Sequence, residues 1–155
     1  MEMIKDVIID FVLFSGIEGF IVCIFFQNIG KCRKFKWNEW LILSIGNCLL
    51  STLFPPILHQ IAYIVWMGLY LYLLNKTTIN IFKGLKLSLT IMVVFYIVEV
   101  LYSIIIEYTM LYDMILSEDK FKVFLILFPT KFIEFIISLK GEKFMKLVVG
   151  GVVRK

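Results

Sequence analysis

Glu18, Glu99, Lys131 and Glu134 each interrupt a long apolar stretch of the chain. In water such residues would be unremarked surface groups. Within about 20 mostly apolar residues, the length that crosses a bilayer, each must find a partner or a polar cavity. Counting about 1.5 Å of rise per helical residue places all four near mid-depth of their stretches. Three carboxylates and one ammonium at a similar level predict a buried cluster in which Lys131 pairs with Glu99, Glu18 or Glu134. Such a cluster either fixes how helices associate or lines a cavity for a ligand, ion or proton; the residue types allow both.

Asn47 and His59 are the further candidates for the polar interior. His59 is the only histidine and follows Pro55-Pro56 near the end of its stretch. A thiol–imidazole pair would need Cys48 beside it. The two residues are separated in depth by roughly 10 Å at helical rise, beyond hydrogen-bond reach. Cys23, Cys32 and Cys48 have no metal-ligand spacing and suggest no disulfide framework. The chain has no serine-nucleophile motif, phosphate loop or metal signature. A non-enzymatic protein without cofactor or metal is expected.

These residues must be carried by helices in lipid. Hydrophobic residues make up 61% of the 155 and charged residues 18%, and mean hydropathy is +0.93. A soluble domain is roughly half apolar and about a quarter charged. The expected fold is all-α: a single polytopic bundle of five transmembrane helices, at about 7–29, 40–54, 57–74, 85–108 and 121–139, with a basic tail at 140–155. The second and third spans are short, and Pro55-Pro56 either separates them or kinks one hairpin. The first span is expected to stay in the protein: acidic residues precede and interrupt it, and no signal-cleavage pattern follows.

Each span shows a polar or small stripe at helical steps of three and four, and these faces are expected to turn inward. They are Ser15, Glu18, Gly19, Cys23 and Gln27; Ser44, Asn47, Cys48 and Ser51; His59, Gln60, Tyr63 and Tyr70; Ser88, Tyr96, Glu99 and Ser103; and Lys131, Glu134 and Ser138.

Lysine and arginine set the orientation. Twelve of sixteen fall in three places: Lys31, Arg33, Lys34 and Lys36; Lys76, Lys83 and Lys86; and Lys140, Lys143, Lys146, Arg154 and Lys155. Five alternating spans put all three groups on one side, which the positive-inside rule makes cytoplasmic. The amino terminus is then outside, in a multi-pass protein of the cell membrane. The net charge of +4 belongs to these flanks and to anionic lipid, so no nucleic-acid partner is expected. The tail, with Phe144, Leu147 and Val148 among its lysines, suits the membrane surface, and Gly150-Gly151 should end any helix there.

The opening FSGIEGFIVCIFF, followed at once by a short basic loop and further spans, resembles the membrane sensor region of accessory-gene-regulator-type (GHKL) peptide-sensing histidine kinases. Those sensors carry an acidic residue in a similar first span, here Glu18. The resemblance implies a quorum-sensing or other regulatory role, with a peptide or a membrane protein as partner. It stops short of the kinase: no phospho-acceptor histidine segment and no ATP-binding domain follows Leu139. The expectation is a stand-alone sensory or regulatory membrane protein, with a substrate-binding transporter component as the alternative.

Overall fold

A computed structural model describes residues 8–9, 11–30, 32–75, 79–108 and 120–150. The acidic segment with Asp113, Glu118 and Asp119, the residues Lys76–Thr78, and Arg154 and Lys155 of the tail lie outside these. The described residues form five α-helices and no strand: α1 Gly16–Asn28, α2 Trp37–Leu53, α3 Pro56–Leu74, α4 Ile81–Tyr108 and α5 Lys120–Gly150. A π-helical turn, Phe11–Ser15, leads into α1.

Local chemistry sets most of the boundaries. Glu39, at the third position of α2, accepts the backbone N–H of Lys36 at 2.8 Å, satisfying a donor that the first turn would leave open. Pro56 opens α3 at the position where a missing N–H costs nothing. Pro55-Pro56 therefore separates two helices and does not kink one. Asn80 Oδ1 accepts the Lys83 N–H at 2.8 Å and starts α4 at Ile81, four residues ahead of the expected span. At the other end, α5 continues to Gly150, past the expected limit at 139. Hydropathy marks where lipid ends, and no proline or glycine pair stops the helix before Gly150.

Among the described residues, three segments are long and apolar enough to cross a membrane: Phe11–Asn28, Pro56–Leu74 and Ile81–Glu107. α2 is 17 residues long, and α5 carries Lys120, Lys122, Lys131 and Glu134 along its apolar part. The protein is thus all-helical, with the helices of a membrane-associated chain.

Each helix packs on its neighbour in sequence, and α1 closes the ring against α5. α1 supplies the centre, with Ile21, Val22, Phe25 and Phe26 buried against Leu43, Tyr63, Met67, Leu71, Ile91 and Phe95. Leu49, Leu53, Ile57, Val93, Leu101 and Phe128 face outward, which suits lipid better than water. Two close approaches depend on glycine. Gly19 lies so near Ser44 that a side chain there would displace α2. A Cβ on Gly84 would stand 2.6 Å from the Gly68 carbonyl oxygen, so these two glycines bring the α3 and α4 backbones together.

The polar stripes are inward on α1, at the middle of α2 and on α5. On α4 the expectation fails for three of four residues: Ser88 is buried, but Glu99 and Ser103 are exposed and Tyr96 is 68% exposed. The face that α4 buries is Gly84, Ser88, Ile91, Phe95, Val98 and Ile106. Tyr96 stands one residue, about 100° of helical turn, away from it. Gln60 of α3 is likewise exposed, while Tyr63 and Tyr70 are buried.

Candidate functional site

Lys131 is the centre of the ionic cluster. Pro129, two residues before it, has no N–H to donate to the carbonyl of Leu125 and so loosens the α5 ladder one turn ahead. In that turn the Tyr102 hydroxyl donates to the Ile126 carbonyl at 2.7 Å and Thr130 Oγ1 donates to Leu127 at 2.6 Å. The Tyr102 bond seats α5 against α4, while the Thr130 bond stays within α5. Lys131 Nζ then donates to Glu99 Oε1 on α4 at 3.1 Å and to Glu134 at 3.1 Å and 3.4 Å. It also lies 5.7 Å from the centre of the Phe95 ring, close enough for a cation–π contribution.

The two carboxylates differ in setting. Glu134 has a fully buried side chain, Lys131 is 13% exposed and Glu99 is 49% exposed. Lys131 therefore joins an interior acid to one that faces a cleft. The expected single pairing is replaced by a bridge to two acids, because residues 131 and 134 share a helical face while α4 approaches from the side.

Glu18 belongs to the cleft. A concavity of about 500 Å³ runs between α3 and α4, lined by Glu18, His59, Gln60, Tyr96 and Glu99 among apolar groups including Ile57, Ile64, Met92 and Phe95. His59 Nε2 donates to Asn47 Oδ1 at 2.9 Å, tying α3 to α2. Its ring stacks on Tyr63 with centroids 6.0 Å apart. The six residues singled out by type thus fall into two linked groups, Lys131–Glu99–Glu134 and Asn47–His59, with Glu18 sharing the cleft reached by Glu99 and His59. A second cavity of about 570 Å³ lies between α4 and α5, lined by Glu99, Tyr102, Thr130 and Lys131. Glu99 borders both.

The sequence reading missed an ion pair at the basic end. Arg33 forks onto Glu39, with Nη1 3.0 Å from Oε2 and Nη2 against Oε1. The Arg33 Nε donates to the Leu74 carbonyl and its backbone N–H to Asn75 Oδ1, both at 3.4 Å. The Tyr70 hydroxyl donates to the Glu39 carbonyl at 3.0 Å. Arg33 is thus more than an orientation charge. Glu39 three residues after Lys36, just ahead of an apolar run, is a helix-start signal that would have drawn attention to it. The Arg33 hydrogen bond holds the Glu39 carboxyl below its ordinary range, against the opposing effect of burial. Burial pushes the nearby Cys32 thiol up to about 11, unfavourable for a thiolate nucleophile.

Among the described residues, Tyr63 Oη, Trp66 Nε1 and Ser138 Oγ are buried without a hydrogen-bond partner. They sit inside the bundle at helix contacts. No family model matches the chain, and neither the curated proteins nor the solved structures include one similar to it.

Proposed function

We propose that this chain is a non-catalytic, five-span protein of the cell membrane, amino terminus outside, that senses a ligand through the α3–α4 cleft. The observation that carries the reading is Glu18 and Glu99 lining one apolar concavity together with His59. Two carboxylates among apolar walls favour a ligand with a cationic group and an apolar body. A short peptide has both in its terminal amine and side chains, and a basic transmembrane segment of a partner protein presents the same chemistry. The resemblance of FSGIEGFIVCIFF to peptide-sensing regions supports the same assignment, and the three basic clusters in sequence support the orientation.

Binding of a fluorescent cationic hexapeptide to the protein in nanodiscs, compared with its fully acetylated, neutral analogue, tests the reading. The expected result is preference for the cationic peptide, weakened about tenfold by the Glu18→Gln, Glu99→Gln double variant, the scale of one charged contact. Equal binding of the two peptides ends the proposal. Labelling of single introduced cysteines from either side checks the five-span threading.

A second reading, the substrate-binding component of a transporter, draws on Glu99 bordering both cavities. It requires that uptake into proteoliposomes fall with Glu99→Gln and Lys131→Met. Uptake indifferent to both variants removes it.

A further inference from the structure

A groove of about 810 Å³ runs along α1 on the side facing the start of α2, away from the charged cleft. One wall is Val12 of the π-helical turn with Gly16, Phe20, Ile24 and Gln27 of α1, at steps of four, four, four and three. The opposite wall is Phe35, Lys36, Trp37 and Trp40. The walls are tied together: Trp40 Nε1 donates to the Gly16 carbonyl at 2.9 Å, and the Phe20 and Trp40 rings meet edge to face at 6.4 Å. Val12 to Gln27 covers about 22 Å at helical rise. One leaflet of hydrocarbon is about 15 Å deep, so a lipid chain fits along it.

Charge identifies the occupant. Among the described residues that line the groove, Lys36 is the one charged residue and none is a carboxylate. Arg33 is engaged by Glu39, whereas Lys34 and Lys36 are exposed beside the groove. Trp37, 69% exposed, supplies the amphipathic ring common at headgroup level. We infer that this groove is a binding site for one anionic phospholipid of the basic-side leaflet, its phosphate on Lys36 and an acyl chain along Phe20 and Ile24. The site is separate from the α3–α4 cleft and does not depend on what occupies that cleft.

Two of the chain's three tryptophans, Trp37 and Trp40, line the groove, so their fluorescence reports directly on it. The full-length protein is reconstituted in vesicles containing phosphatidylglycerol or phosphatidylcholine with brominated acyl chains, which quench tryptophan on contact. Competition between the two gives their relative affinity. The expected preference for phosphatidylglycerol is about fivefold, the effect of one basic residue near the surface. Lys36→Gln should bring it close to unity and Lys36→Arg should keep it. Equal quenching by both lipids in the unmodified protein overturns the inference. So does a preference that survives Lys36→Gln, or one lost equally in Lys36→Gln and Lys36→Arg.

Discussion

Arg33–Glu39 and Lys131–Glu134 are both cation–carboxylate pairs close in sequence, yet they solve different problems. Arg33 is 43% exposed at the mouth of the bundle, although its partner Glu39 is only 10% exposed. There water reaches Arg33, and by forking onto Glu39 and donating from Nε to the Leu74 carbonyl it gathers the start of α2 and the end of α3. Lys131 and Glu134 lie inside, Glu134 with no exposed side chain and Lys131 13% exposed, so each has little but protein to solvate it. A surface pair is typically worth less than about 1 kcal/mol. Breaking an interior pair leaves an uncompensated charge and costs several times that. The lesson is that the worth of a pair depends on what surrounds each partner once the other is gone.

The strongest test of this contrast is Lys131→Met, which strands Glu134. It should destabilise the protein by about 3–5 kcal/mol, read as unfolding in detergent by far-UV circular dichroism. The Lys131→Met, Glu134→Leu double variant should recover much of that loss, because both interior charges are then removed. If the double variant is less stable than Lys131→Met alone, the interior pair is not what the single substitution breaks.

Arg33→Ala comes next, with a loss of about 1 kcal/mol that shrinks as salt is raised. The same salt series should leave the Lys131→Met deficit nearly unchanged. The basic-end pair should also show in acid. Glu39 is held below its ordinary range chiefly by Arg33, so its stabilisation is fully present above the unfolded carboxyl value of about 4. It is lost as pH falls through the lower folded value. Thermal melts of the unmodified protein and Glu39→Gln should therefore differ at neutral pH and converge in strong acid. Curves that stay parallel would mean that Arg33 does not set the charge of Glu39.

Smallest of all should be His59→Ala, which removes the bond to Asn47. Interhelical hydrogen bonds of this kind average about 0.6 kcal/mol in a membrane protein. A loss as large as that of Lys131→Met would make the α2–α3 contact, and not the ionic cluster, the main tie of the bundle.

The sequence alone determined the features that act along one helix at a time. Apolar length, an interruption at Pro55-Pro56 (separation or kink left open) and the clustering of basic residues depend only on local composition and on the solvent each segment prefers. The inward turn of Ser15, Gly19 and Cys23, which are buried, was legible in the same way. Residue types also told that Lys131 must take a carboxylate. Only the tertiary structure decided that it takes Glu134 and Glu99 together, that Glu18 joins His59 at a cleft instead, and that Tyr96 faces outward. Helical periodicity says which residues share a face, but the direction of that face is set by the helices that pack on it. For α4 those are α3, α5 and α1, and a rotation of one residue moves a side chain about 100° from core to surface.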